Sequence, residues 1–179
     1  IGVRLVGSEM CIRDRGTYGK DTRGLYRVHQ FQKVEQVIID VADEQKSLEH
    51  HAAILNNAET LMQALDLPYR VVNVCGGDLG QGQVQKFDIE TWMPSREGYG
   101  ETHSASRFHD FQSRRLDLRY RGEDGKVAHC HTLNNTVAAS TRMLIALLEN
   151  HQNEDGSVNV PEPLRPYMGG RDLIGKAGS

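Results

Sequence analysis

The chain of 179 residues predicts an α+β fold, an antiparallel β-sheet flanked by helices. Two observations carry this expectation. Short segments with strand patterning follow one another through turn signals, and only two stretches hold apolar residues at helical spacing; strands joined by hairpins with few helices make an antiparallel sheet. Hydrophobic residues make up 38% and charged residues 25% of the chain, an ordinary balance for one globular domain of this length. A net charge of -3 argues against a whole-surface grip on nucleic acid or anionic membrane.

Residues 1–15, IGVRLVGSEMCIRDR, behave unlike the rest. Their apolar start is too short and too interrupted for a signal peptide. GSEMCIRDR resembles translated sequencing-adaptor text, so this stretch is expected to be a non-native leader and residues 16–179 the latter part of a longer domain. From Leu25 to Ile39 the run LYRVHQFQKVEQVII alternates, with Leu25, Arg27, His29, Phe31, Lys33 and Glu35 on one parity. That predicts a strand pair or one long strand whose charged and aromatic face is a site and not a core. Ser47 is expected to cap a helix running to about Leu65, with Leu48, Ala52, Leu55, Ala58, Met62 and Leu65 at helical spacing and Leu67-Pro68 ending it. Strands are expected at 69–74, 84–93, 100–108, 116–121 and 126–131, the last two joined by a turn at Glu123-Asp124-Gly125. A closing apolar helix is expected from about Thr136 to His151, followed by a proline-containing loop.

Three cysteines, Cys11, Cys75 and Cys130, lie far apart without CxxC spacing. That argues against a disulfide framework and for a reducing cytoplasm. Strand alternation turns Cys130 away from its neighbours His129 and His131, which opposes a shared zinc ion. No apolar run approaches the ~20 residues of a membrane span, so a soluble chain with no membrane partner is expected. GGDLGQG has the glycine density of a phosphate loop, but no GK[ST] and no helix follow, so its glycines read as turn geometry. Arg114, Arg115, Arg119 and Arg121 read as structural, beside Asp117.

Arg142 is the informative oddity, a permanent cation on an apolar helix. It requires a carboxylate, a phosphate or water. Glu149, two turns on, is the plain partner. A phosphate reached across Ala138, Ala139 and Ala146 is the alternative, because a guanidinium gives it two hydrogen bonds at once. Glu101 and Ser104 in GETHSAS supply a companion. A carboxylate and a hydroxyl three residues apart meet one hard cation if the strand twists or bulges between them, and magnesium prefers such oxygens shared with nucleotide phosphates.

Six segments together carry a denser signal: GKDTRGLYRVHQFQKVEQ, LPYRVVNVCGGDLG, FDIETWMPSREGYGETHSAS, FQSRRLDLRYR, HTLNNTVAASTRMLIALLENHQ and VPEPLRPYMGG. In order and spacing they resemble the C-terminal part of the catalytic domain of bacterial-type seryl-tRNA synthetases, which are class II aminoacyl-tRNA synthetases. The resemblance implies ATP-dependent activation of L-serine to seryl-adenylate and transfer to serine tRNA by a cytoplasmic homodimer. It implies that Phe31 stacks on adenine, that Val28 lines the nucleotide site, and that Glu101, Thr102, His103 and Ser104 contact ATP. Glu101 and Ser104 are then the Mg2+ ligands, Arg142 grips the γ-phosphate, and Glu35, Asn134 and Thr136 hold serine; Arg142 and Glu101 are the catalytic pair. Where the family pattern has an arginine and a glutamate two residues apart, this chain has Ile12 and Asp14. The resemblance therefore leaves open a fragment inactive alone, a nucleotide- or partner-binding module, or a ligase charging a carrier protein.

Overall fold

The computed structural model describes the backbone of residues 4–12 and 24–175, and side chains within 24–175. Six strands build the main sheet: β1 (Arg4–Ile12), β2 (Gln30–Asp40), β3 (Tyr69–Asn73), β4 (Gln85–Met93), β5 (Gly98–Arg107) and β8 (His131–Ala139). Their spatial order is β1-β2-β8-β5-β4-β3, with every adjacent pair antiparallel. Sequence reasoning assigned no element to the leader, yet its residues 4–12 form an edge strand on β2. Asp14 and the GTYGKDTRG segment up to Arg23 lie outside the described residues.

Two helices cover one face of the sheet. Helix α1 (Glu44–Ala64) starts one turn before the expected cap, because the Asp43 carboxylate accepts from Lys46 N at 2.8 Å. Ser47 is instead buried inside the first turns, its Oγ 2.7 Å from His131 Nδ1, which ties the helix to the start of β8. Ile54, Ala58 and Met62 face inward from α1. Ala58 and Met62 meet Leu65, Leu67, Ile89 of β4 and Met143 and Ala146 of α3 (Ser140–Asn150) in one cluster, while Ile54 packs with Ile38 and Leu133. The helix ends at Leu65, with Asp66 left-handed at φ 51 before Leu67-Pro68.

Two expectations fail here for identifiable reasons. The closing helix begins at Ser140, not Thr136, because β8 pairs with β2 as far as Ala139 and with β5 from Leu133 to Asn135, and these ladders outweigh a helical start. The helix is also less buried than its composition suggests, since Leu144 and Leu148 stand exposed. The expected strand at 116–121 opens instead as a short helix, α2 (Phe111–Leu116), stopped by left-handed Asp117. Only Arg119–Arg121 (β6) pairs, with Val127–His129 (β7), across the predicted turn, where Gly125 has φ 78. The four arginines here all have local partners. Arg114 and Arg119 bond Asp110 and Asp117, Arg115 lies over the Phe111 ring, and Arg121 donates to Gly125 O. After α3 the chain makes a two-residue strand, β9 (Val158–Asn159), a 3-10 segment (Glu162–Met168) and β10 (Leu173–Ile174), where sequence reasoning expected loop. No helix among the described residues is long and apolar enough to cross a membrane.

Two substitutions test this packing by urea denaturation of the chain. Asp43→Ala is expected to cost about 1 kcal/mol through loss of the helix cap. Ile54→Ala, fully buried between α1 and the sheet, is expected to cost about 2–5 kcal/mol.

Candidate functional site

The face of the sheet away from α1 carries a cavity of about 340 Å³, within the range of small-molecule sites. Strand alternation supplies one wall: Phe31, Lys33 and Glu35 of β2 line it, while Gln36 and Ile38 turn to the helix side. On β8, Asn134 and Thr136 line it, while Leu133 and Asn135 are buried against α1. Simple alternation cannot explain β5, where Glu101 and Ser104, three residues apart, share this face. The register gives the reason. Ile89 pairs with His103 and Glu90 with Glu101, so Thr102 is an extra residue, a β-bulge. The twist or bulge that sequence reasoning required between carboxylate and hydroxyl is therefore present, as a bulge.

β8 has a bulge of its own. Val34 pairs with Ala138 and Glu35 with Thr136, which leaves Val137 as the extra residue. His103 connects the two irregularities. Its Nε2 donates to Val137 O at 2.8 Å, since a carbonyl only accepts. Its Nδ1 therefore accepts from the Thr102 hydroxyl at 2.8 Å, which in turn stands 2.7 Å from the Thr91 hydroxyl. Of the ten residues expected at the site, nine line the cavity and His103 does not: it is 1% exposed and lies behind the sheet face. Its side chain bridges two strands and does not enter the cavity.

Two groups face one another in the cavity. Glu35, almost fully buried, accepts from Thr136 Oγ1 at 3.2 Å and pairs with Lys33 Nζ at 2.8 Å. Arg142 gives Nη1 to Glu101 O at 2.7 Å and Nε to Tyr26 O at 3.3 Å, with the Glu101 carboxylate 3.7 Å away. Glu149 is not its partner, because both Glu149 oxygens are taken by Ser95, at 3.0 Å from its N–H and 2.6 Å from its hydroxyl. Nor does Arg142 sit mid-helix: it is the third residue of α3, whose N-cap, Ala139, makes no side-chain bond. A guanidinium in the first turn of an uncapped helix opposes the helix dipole unless an anion joins them. Ala138 and Ala139 belong to β8, and their small size leaves room beside the helix start.

Oxygen donors that suit a hard divalent cation are also present. The half-exposed Glu101 carboxylate and the Ser104 hydroxyl face the same space, oxygen donors of the kind a hard divalent cation accepts. Among the described residues no group of three or more His, Cys, Asp or Glu converges as an all-protein metal cage.

Sequence reasoning missed several lining residues, among them Tyr26, Gln83 and Phe108. Gln83 belongs to the glycine-rich turn. Gly82, at φ 86, lies so close to Phe111 that a Cβ would fall 2.1 Å from the ring. The Gln83 amide accepts from Gly80 N at 2.6 Å and donates to Ser106 Oγ at 2.8 Å. The glycines are turn geometry as expected, but the turn also forms a cavity wall. The available signal was its position between two strands that both border the site.

An antiparallel sheet carrying a nucleotide-sized polar cavity, closed by a strand-to-helix element with an arginine, is the arrangement of a class II synthetase core. Residues 3–151 match the family described as tRNA synthetase class II core domain (G, H, P, S and T), and the chain belongs to that family. It is 55% identical over 164 residues to the serine–tRNA ligase of Deinococcus radiodurans, covering 92% of this chain and 39% of that protein. Its fold matches the crystal structure of seryl-tRNA synthetase from Pyrococcus horikoshii complexed with ATP at a TM-score of 0.88 and 48% identity, over 94% of this chain and 37% of that one. The cytoplasmic serine–tRNA ligase from Naegleria fowleri in complex with AMP matches at 0.88 and 42% identity, over 96% and 40%. The chain thus spans about two fifths of the length of the proteins it matches.

The His103 bridge makes a pH prediction. Burial pushes the ring down to about 4 from 6.5, so the unfolded chain binds a proton that the folded one refuses. The stability contributed by the neutral ring is complete above pH 6.5 and is lost as pH falls toward 4. Between pH 7 and 4.5, His103→Gln is expected to lose roughly 2–3 kcal/mol less unfolding free energy than the unaltered chain, measured by denaturant titration at each pH.

Proposed function

We propose that this chain is part of a serine–tRNA ligase, which activates L-serine with ATP to seryl-adenylate and passes the seryl group to serine tRNA. The observation that carries the reading is one cavity holding both the Glu35–Thr136 pair and the Arg142–Glu101 pair. Serine–tRNA ligases at 55% and 48% identity support it.

In this reading Phe31 stacks on adenine and Val28 lines the nucleotide pocket, with Thr102 beside it. Glu35 accepts hydrogen bonds from serine, and Asn134 and Thr136 complete its pocket. A site built to bond a hydroxyl rejects alanine because its buried polar groups then lose a partner. Glu101 and Ser104 hold Mg2+, which when bound neutralises phosphate charge. Arg142 grips the γ-phosphate. One serine carboxylate oxygen then forms a bond to the α-phosphorus as the bond to the bridging oxygen breaks, and pyrophosphate leaves with that electron pair. No proton is transferred in this step, so positioning and charge stabilisation are what the residues contribute. Catalysis is assigned to Arg142 and Glu101. A cytoplasmic homodimer carrying the tRNA-binding parts belongs to the same proposal.

A second reading has one observation in its favour. Ile12, at the end of β1 beside Gln30, stands where the resemblance expects an arginine, so this chain alone suits binding without turnover. Nothing favours a carrier-protein ligase.

The experiment is serine-dependent exchange of pyrophosphate into ATP by a protein extended to the length of its relatives, with the family's arginine at position 12. Exchange stimulated by another amino acid in preference to serine would overturn the assignment. Arg142→Ala is expected to lower kcat/KM for ATP about 100-fold. Glu35→Ala is expected to lower kcat/KM for serine by at least about 100-fold, with ATP binding unchanged. The 179-residue chain itself is expected to bind ATP without exchange.

A further inference from the structure

Resting on the nucleotide-site reading above, we propose that Tyr26 is a positioning residue for Arg142, holding its guanidinium in place before the terminal phosphate of ATP arrives. Four contacts place it there. Its carbonyl accepts from Arg142 Nε at 3.3 Å, and its ring centroid lies 4.5 Å from Arg142 Cζ, a cation–π distance. Its hydroxyl donates to Glu101 O at 3.3 Å, the same carbonyl that accepts from Arg142 Nη1 at 2.7 Å. The outer end of the arrangement is held by Arg96, whose Cζ lies 4.2 Å from the same ring centroid.

The neighbouring backbone is shaped to admit this ring. A Cβ on Gly100 would lie 3.0 Å from the Tyr26 hydroxyl oxygen and 3.1 Å from its Cε2. Glycine before Glu101 therefore lets the tyrosine close onto the strand that carries the carboxylate.

The chemistry explains why such a holder matters. A guanidinium has five N–H groups in a fixed fork on a flexible stem. Here two of them go to backbone carbonyls, which fix the plane, while the half-exposed Glu101 carboxylate stands 3.7 Å from Nη1. The rest of the fork is left for an anion, and the rotamer entropy is surrendered before the ligand binds.

Calorimetric titration of the 179-residue chain with Mg-ATP and, separately, AMP tests the proposal. Tyr26→Leu keeps the carbonyl and removes ring and hydroxyl. It is expected to weaken ATP about tenfold and leave AMP within about twofold, because AMP lacks the phosphate that Arg142 grips. Tyr26→Phe is expected to recover ATP affinity to within about twofold of the unaltered chain. Gly100→Ala, which presses on the ring without deleting it, is expected to weaken ATP several-fold by the same route and serves if the leucine variant does not fold. Equal loss of ATP and AMP, or loss of neither, would overturn the positioning role while Arg142→Ala still weakened ATP. An unaltered chain that does not bind ATP, or an Arg142→Ala variant that binds it normally, would overturn the nucleotide-site reading and this inference with it.

Discussion

The site depends on one hydrogen bond between two irregular strands. His103 joins the extra residue of β8, Val137, to the strand whose own extra residue, Thr102, precedes it. The ladder between β5 and β8 pairs only Ala105, Ser106 and Arg107 on the β5 side, so it stops short of both extra residues. The imidazole spans that gap. With it, the end of β8 and the start of α3 keep a fixed relation to Glu101 and Ser104, and Arg142 inherits its place from that relation. The bond requires the neutral ring with its hydrogen on Nε2, which burial enforces.

Much of this was legible in the residues. The parity of Phe31, Lys33 and Glu35 told which face of β2 borders the cavity, because alternation is a local property of a strand. The three-residue spacing of Glu101 and Ser104 called for a twist or a bulge, and the register contains a bulge. The sheet class followed from the same short-range signals. What stayed hidden was decided by distant partners. Thr132 to Thr136 carry hydrogen-bonding side chains that suit a helix start or a strand equally, and only the neighbouring β2 and β5 settle the choice. Ser47 and Asp43 are both good caps by chemistry; Ser47 is excluded because His131, remote in sequence, occupies its hydroxyl. His103 lies in the same tetrapeptide but turns away from the cavity, since the bulge at Thr102 shifts the alternation beyond it.

The division of labour between the two faces follows from burial. The residues that hold α1 and α3 to the sheet, such as Ile89, Met62 and Ala146, are fully covered and apolar. The cavity face spends its positions on charge and hydroxyl groups, which stabilise little when exposed and cost much when left unpaired. Its most buried carboxylate, Glu35, is accordingly the one with both a cation and a hydroxyl attached.

Helix α3 touches the cavity's surroundings at both ends. Its first turn carries Arg142, and seven residues on, about 10 Å along the axis, Glu149 clasps Ser95 beside the Arg96 that rests on Tyr26. The helix is thus a strut in a closed mechanical loop that runs through Glu149, Ser95, Arg96 and Tyr26 and back to Arg142. Tilting it swings the clamp and the ring that braces it as a single body. A ligand tugging on the guanidinium would therefore be felt at the turn after β4, at the outer side of the ring.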